Sequence, residues 1–421
     1  MNNWAGNHHY RSVEIHRPER IEKVQDLVRR TERLKVLGTR HSFNDVADTT
    51  GTHISLDHMN QVISLDGSAE TVSVEAGINY GQLCPWLHRQ GWALHNLASL
   101  PHISIAGACS TATHGSGDRN GNLATAVSAL DVVIADGDIV ALSREQDPDR
   151  FAGVVVALGG LGIVTRLTLD LQPAFDVRQH VFEDVSLTNL LDHFDDVMAR
   201  GYSVSPFTDW ISQRFRVWVK ERIPQDGADS IPDLLGSKVA ARSLHPVEGE
   251  PADGCTEQRS RPGPWHERLP HFRMDAVPSV GAELQSEYFV SRANARQALL
   301  AVDGLRQQIG PLLFVSEIRS IAADDLWLSP CYEQDSIALH FTWKPDWEQV
   351  RQLLPILEAE LAPFEPRPHW GKLFTIPVDE LQSSYERLDD FRGLLSQYDP
   401  DGKFRNRFLD EWHRGVPFDD R

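Results

Sequence analysis

Two stretches in the second half of the chain place polar side chains at a spacing that a sheet can gather. In Leu313–Arg319, period-two alternation puts Val315, Glu317 and Arg319 on one face, and Phe314, Ser316 and Ile318 on the other. In Ser336–Trp343 the apolar face is Ile337, Leu339, Phe341 and Trp343, while Ser336, Ala338, His340 and Thr342 point away from it. If the two strands share a sheet face, a carboxylate, a guanidinium, an imidazole and a hydroxyl lie side by side. Such a floor suits a polyhydroxylated ligand. A solvent-facing strand pair with an ordinary cross-strand ion pair has the same pattern.

Two earlier runs concern close approach of backbone to a ligand. Val36-Leu37-Gly38-Thr39-Arg40-His41-Ser42 sets a histidine just past a strand-to-turn glycine, a place from which an imidazole can tether a cofactor. A histidine after a turn is more commonly a surface or core residue. Residues 99–117, rich in Gly, Ser and Thr and almost without charge, suit close approach to a phosphate, or else a tightly packed buried loop. Metal sites read poorly. His8-His9 and the run from Trp265 to His271 lack zincin spacing, and Pro270 breaks any helix there. Neither a hydrolase elbow, a P-loop nor a usable dinucleotide GxGxxG is present, so we expect no metal and no P-loop chemistry.

The elements that must position these residues fall into two groups. Pro18 opens an amphipathic helix with Ile21, Val24, Leu27 and Val28 on one face. Leu34–Leu37, Ile54–Leu56 and Thr71–Glu75 read as short strands, and Tyr80–Gln90 as a helix. Leu130–Ala135 and Asp138–Ala141 flank Asp136-Gly137 as a hairpin, and Ile163–Leu171 follows as a strand. Residues 1–175 thus form one α+β unit. Between Pro224 and Pro264 the composition predicts a long loop region. Beyond it come strands at Glu283–Val290, Leu312–Ile321 and Ser336–Trp343, with helices at Arg292–Ile309 and Trp347–Leu361, giving a second, sheet-based domain over 176–365. The tail is 366–421. No internal repeat or low-complexity tract is evident.

At 421 residues, 41% hydrophobic and 24% charged, the chain reads as a soluble globular protein of two domains. Its formal net charge of −19 argues against nucleic-acid partners, because such binding draws on Lys and Arg replacing counterions. It also means that backbone N–H groups and glycine turns must do most of the work of holding a pyrophosphate. The apolar run from Gly153 to Val164 is too short for a bilayer, and the N-terminus lacks a secretory pattern. Four scattered cysteines fit reduced thiols in the cytoplasm better than a disulfide framework.

Taken together these runs resemble flavin oxidases of the vanillyl-alcohol-oxidase (p-cresol-methylhydroxylase) type, and among them the alditol or xylitol oxidases. The likeness extends over nearly the whole chain: Asn3–Asn7, the His41 motif, Ala98–Gly117, Phe207–Trp210, Cys255–Gln258, Gly263–Phe272, Glu283–Tyr288, Glu317-Ile318-Arg319, Trp327–Pro330, His340–Trp343 and His369–Lys372. The early motifs are shared with many sugar and lactone oxidases, and the later ones look particular to alditol oxidases.

The resemblance implies an α+β, two-domain flavoprotein whose N-terminal unit and C-terminal segment bind FAD under a cap formed by the middle domain. His41 would hold the flavin covalently through its 8α-methyl carbon. Val36, Leu37, Gly38, Thr39, Arg40, Ser42, Ser99, Ser104, Gly107, Thr111, Ala112, Thr113, His114, Val164 and His369 would line FAD. Ser99, Glu317, Arg319, His340, Thr342 and Lys372 would contact substrate, with Glu317, Arg319 and Lys372 as the catalytic set and Glu317 paired to Arg319. The implied reaction oxidises the terminal hydroxyl of an alditol such as xylitol or sorbitol to the aldose by hydride transfer to flavin N5, with O2 reduced to hydrogen peroxide. Polyol and O2 are then the partners, with no membrane or nucleic acid, and a monomer is compatible. A sugar-lactone oxidase or dehydrogenase of the gulonolactone type is the alternative, and a non-catalytic sugar- or flavin-binding protein a more remote one. Arg40 and Ala112 depart from the pattern, standing where small residues, usually glycine, are expected.

Overall fold

A computed structural model describes residues 1–223, 233–276 and 282–414. Parallel strands β1 (Glu14–His16), β2 (Leu34–Val36) and β3 (Thr52–Ile54) form a small sheet in the order β1-β3-β2. Against it runs an antiparallel sheet of β4 (Val62–Asp66), β5 (Thr71–Glu75), β6 (Val127–Val133), β7 (Ile139–Ser143) and β8 (Ile163–Asp170), in the order β4-β5-β8-β6-β7. Helices α1 (Ile21–Arg30) and α2 (Tyr80–Arg89) cover these sheets through Val24, Leu27, Val28, Leu83 and Leu87, all buried in one core that also takes Ile105 and Ala108 of α3 (Ile105–Ser110). An Asn79–Gln82 capping box fixes the start of α2, each side chain bonding the other's backbone amide.

The middle of the chain builds a larger antiparallel sheet. It contains β9 (Asp176–Ser186), β10 (Ser203–Thr208), β11 (Arg214–Arg222), β12 (Leu284–Ser291), β13 (Leu313–Ile321), β14 (Ser336–Trp343) and β15 (Arg367–Pro368), in the order β9-β11-β10-β13-β14-β12-β15. One face carries Ile318, Ile337, Leu339, Phe341 and Trp343, packed under α4 (Ala295–Gly304) and α5 (Trp347–Leu361). Every residue of β14 is buried, which excludes the solvent-facing strand that the alternation alone also allowed. With helices on the apolar side, the alternation leaves one place for His340 and Thr342: the side toward the N-terminal unit.

Helices α6 (Leu388–Tyr398) and α7 (Arg407–Arg414) return to the first core, where Phe391, Leu395, Phe404 and Leu409 pack with α1 and β6 residues. All four cysteines are buried and unpaired.

Most sequence-based elements are present, though not all within the expected bounds. The strand expected at Ile54–Leu56 is β3, two residues earlier. The helix expected over Arg292–Ile309 is split: the regular helix runs from Ala295 to Gly304, and Leu305 separates it from a short second piece, Arg306–Ile309. Strands β9, β10 and β11 were not anticipated at all. Part of the expected loop between Pro224 and Pro264, residues 224–232, lies outside the described residues. The remainder holds only two-residue strands and one short helical turn.

Candidate active site

Strand register assembles the floor. Glu317 on β13 stands opposite His340 on β14, Val315 opposite Thr342, and Arg319 opposite Ala338. On the far side of β14, Glu287 of β12 pairs in register with the same His340, and Gln285 with Thr342. Three adjacent strands thus raise Glu287, His340 and Glu317 in one row, beside Gln285, Thr342 and Val315 in the next. Phe207 of β10 closes the row beyond Glu317.

Each buried carboxylate in that row holds a cation. Glu317 accepts from Arg319 Nε at 2.6 Å and from a terminal guanidinium nitrogen at 2.5 Å, the forked geometry that fixes a guanidinium in its plane. The same terminal nitrogen donates to Ser99 Oγ at 2.5 Å. Burial would raise the Glu317 pKa, but Arg319 and then His271 outweigh it and hold the carboxyl well below the usual range. Glu287 takes the Lys372 ammonium at 2.6 Å and lies 3.3 Å from His114 Nε2. Its pKa is likewise held well down, by Lys372 and then His114 against burial. Both carboxylates are therefore ionised acceptors.

Hydrogen-bond direction follows from donor chemistry. Lys372 Nζ, a donor only, lies 2.8 Å from His340 Nδ1, so Nδ1 accepts and Nε2 carries the proton. Burial and then Lys372 lower the His340 pKa to about 3, consistent with a neutral ring. Nε2 then donates to Thr342 Oγ1 at 3.1 Å. Thr342 and Ser99 each already accept one bond, which leaves their own protons free to donate. Burial also pulls the Lys372 ammonium below its ordinary pKa.

The cavity above this floor has a volume of about 310 Å³ and continues between the two N-terminal sheets, lined there by Val36 and Leu37 on one side and by Leu130, Val132, Val164 and Leu167 on the other. Its neck is the turn after β2. Among the described residues, no protein acceptor pairs with the backbone amides of Gly38, Thr39, Arg40, His41 or Ser42. Consecutive unpaired amides in a cavity wall call for an acceptor-rich ligand. Gly38 and Gly107 meet here around Ser104: a Cβ on Gly38 would lie 2.9 Å from Ser104 Oγ, and one on Gly107 2.7 Å. A backbone cradle free of acidic side chains fits the pyrophosphate of FAD. His41 stands at the neck, stacked on Trp4 with ring centroids 5.6 Å apart and its Nδ1 3.1 Å from Thr39 Oγ1. Burial, with His102 and Arg40 adding to it, lowers its pKa to about 4, leaving the neutral imidazole that a covalent attachment requires.

The sequence-derived residues converge here. Val36, Leu37, Gly38, Thr39, Arg40, His41, Ser42, Ser99, Ser104, Gly107, Thr111, Thr113, His114, Val164, His369, Glu317, Arg319, His340, Thr342 and Lys372 all line the cavity. Ala112 does not: it is fully buried in the hydrophobic core behind the wall. Both departures from the expected small residues fall on left-handed backbone, Arg40 at φ +65° and Ala112 at φ +51°. Glycine adopts that region without the steric cost that a Cβ brings.

Sequence reasoning missed Glu287, Gln285 and His271 as site residues. Glu287 and Gln285 alternate with Ser286 and Tyr288 along β12, so the same period-two reading would have found them. One nitrogen each of His114 and His369 and an oxygen of Glu287 lie within 4.8 Å of one another, a spacing that could hold a metal ion. Glu287 already serves as counter-ion to Lys372, which makes the group an ion-pair cluster first.

Comparison with known proteins adds independent findings. A family model described as an FAD binding domain matches residues 14–143, and one described as D-arabinono-1,4-lactone oxidase matches residues 282–414. An alditol oxidase from a Streptomyces species is 48% identical over 97% of this chain and 98% of its own length. An L-gulono-1,4-lactone dehydrogenase from Mycobacterium tuberculosis is 27% identical over 96% of this chain and 97% of its own. Among solved structures, cholesterol oxidase from B. sterolicum superposes with a TM-score of 0.77 at 14% identity, covering 98% of this chain and 96% of that one. That last likeness bears on the fold alone.

Proposed function

The chain belongs to the alditol oxidase family, and from that membership together with the geometry of its cavity we infer that it is an FAD-dependent alditol oxidase of the two-part vanillyl-alcohol-oxidase fold. The observation that carries the residue assignments is the row Glu287–His340–Glu317, with Lys372 and Arg319 held in ion pairs at its two ends.

Bound FAD supplies the acceptor for the hydride leaving the carbinol carbon, with O2 as the final acceptor, giving an aldose and hydrogen peroxide. The protein's part is binding and charge. Arg319 and Lys372 donate to the substrate oxygen as it gains negative charge, in a cavity where water is scarce and each donor is already oriented. The hydroxyl proton passes to Lys372 as that ammonium releases one of its own to His340 Nδ1, 2.8 Å away, a transfer that burial of Lys372 eases. Ser99 and Thr342 donate to further hydroxyl oxygens, and Glu317 accepts from a hydroxyl. A ligand without those hydroxyls leaves buried groups unpaired, which favours polyols.

His41 attaches the flavin covalently at the cavity neck, and its neutral ring and fixed position support this. Residues 1–175 and 366–421 constitute the FAD-binding part, and 176–365 the cap. The packing of α6 and α7 into the first core supports that division. Among the described residues no helix is long and apolar enough to cross a membrane.

The test is an absorption spectrum of the purified protein before and after anaerobic xylitol or sorbitol, set against a γ-lactone. Bleaching by polyols and not by lactone is expected. The reverse would move the chain to the lactone reading, to which the match over residues 282–414 points. Peroxide formation in air tests O2 as acceptor.

A further inference from the structure

Behind Glu317 lies a chain of groups that reaches past the cavity wall. Lys220 of β11 is buried and does not line the cavity. Its Nζ lies 2.5 Å from Leu269 O, 3.1 Å from Pro270 O and 3.2 Å from His271 Nδ1. His271 Nε2 lies 2.9 Å from Glu317 Oε1. Glu317 grips Arg319, and Arg319 donates to Ser99 Oγ. The chain closes on itself, because Ser99 O accepts the backbone amides of His271 at 3.1 Å and Phe272 at 3.2 Å.

The direction of every bond is determined. A carboxylate only accepts, so the 2.9 Å contact requires a proton on His271 Nε2. Burial and then Lys220 lower the His271 pKa to about 4, so the ring carries one proton and Nδ1 is bare. Nδ1 must then accept from Nζ. Three acceptors around one nitrogen are matched only by an ammonium. Phe207 and Trp218 pack edge-on against the ring, with centroids 5.4 and 5.2 Å away, and hold its plane.

We propose that Lys220 and His271 act as a tautomer lock, positioning residues that keep Glu317 an oriented acceptor and thereby fix Arg319 and Ser99 for the reacting alcohol. Lys220 acts at two removes from the substrate. Its location separates it from Lys372, whose counter-ion Glu287 stands at the other end of the row. The charged and titratable groups around Lys220 are Glu317 and Arg319 from β13, His271 and Cys255. Burial lowers the Lys220 ammonium to about 7, Glu317 opposing that and Arg319 adding to it, so measurements at pH 6 keep it charged.

This inference rests on the alditol-oxidase reading, and a double-mutant cycle in the flavin-loaded full chain separates the two. The limiting rate of anaerobic flavin reduction by xylitol at pH 6 is measured for wild type, Lys220→Met, Glu317→Gln and the double variant. Lys220→Met is expected to slow reduction at least tenfold, yet to change the Glu317→Gln rate less than twofold, because the lock acts only through that carboxylate. Selective ¹⁵N labelling of histidine should show one ring, identified by its loss in His271→Gln, as a neutral Nε2–H tautomer in wild type and a mixture in Lys220→Met. If Lys220→Met yields no soluble protein, His271→Gln severs the same link while leaving the Leu269 and Pro270 carbonyls with their lysine, and enters the same cycle. Additive effects, or an unchanged His271 tautomer, would overturn the lock. A wild-type flavin that no polyol bleaches would overturn the parent reading, and the tautomer measurement would still judge the lock.

Discussion

His340 stands directly opposite Glu317 across the β13–β14 ladder, and opposite Glu287 across the β14–β12 ladder. One neutral imidazole therefore separates two buried carboxylates, each carrying its own cation. Unpaired, either carboxylate would be expensive at this depth, since a buried charge needs both a partner and hydrogen bonds. The arrangement sets two positive donors at the ends of one row, Arg319 from β13 and Lys372 from the turn after β15, the latter held there by strand-borne Glu287.

Glu287→Gln should damage the site although the residue lies beneath Lys372. The amide keeps the volume but removes the charge that opposes loss of the Lys372 proton. The ammonium pKa falls further, and the oriented donor at that end of the row is weakened. Flavin reduction by xylitol should slow by roughly 10²-fold, within the range for losing one preorganised donor. Stopped-flow reduction measures it, and an unchanged limiting rate would remove Glu287 from the site.

The polar floor was legible because period-two alternation reports a sheet face without any tertiary knowledge. Glu317, Arg319, His340 and Thr342 were all found this way. Lys220 and His271 were not, for different reasons. Arg214–Arg222 alternates as clearly, with Phe215, Val217 and Val219 against Arg216, Trp218 and Lys220, but nothing local says that its charged face is covered. In fact the outward pattern is buried against the segment around His271, a long-range contact no local window contains. His271 follows Pro270 outside any strand or helix, so no periodicity marks it. The cofactor cradle was legible by composition, while the exclusion of Ala112 depends on which way its side chain turns at a left-handed φ.

Thr342→Ala tests polyol recognition. Thr342 Oγ1 accepts from His340 and keeps a proton for the ligand. Removing it strands His340 Nε2 and deletes one contact to substrate, at about 1–3 kcal/mol, or roughly 5- to 150-fold in kcat/KM for xylitol. A short alcohol that does not reach Thr342 should lose far less. Steady-state comparison of the two substrates decides, and equal losses would place Thr342 away from the substrate.

Acid should destabilise the fold well above the carboxylate range. Burial, with Lys220 and Lys372 adding to it, lowers His271 to about 4 and His340 to about 3. Between the unfolded value near 6.5 and those folded values, the unfolded chain binds more protons, so stability is lost as pH falls through that window. Over the whole interval His271 contributes roughly 3 kcal/mol and His340 roughly 5 kcal/mol. Glu287 and Glu317, with folded pKa values well below 4.5, add a further loss once pH drops under that figure. Melting curves from pH 7 to pH 4 should show Tm falling from about pH 6.5 downward, with a shallower slope in His271→Gln. A Tm independent of pH over that range would contradict neutral buried rings.

His41→Ala should separate tethering from binding. The unpaired amides of residues 38–42 and the Gly38–Gly107 crossing remain in the variant, so FAD is still taken up from solution. What is lost is the covalent bond. After acid precipitation the yellow colour should pellet with the wild type and stay in the supernatant with His41→Ala. Arg40 sharpens the test. Its φ of +65° puts a bulky side chain on left-handed backbone directly before the tether. Arg40→Gly relieves that strain without touching the imidazole, and should raise the fraction of flavin retained in the pellet or leave it complete. Colour in the His41→Ala pellet would place the attachment on another residue, and a lower retained fraction in Arg40→Gly would mean that the arginine itself helps hold the ring for attachment.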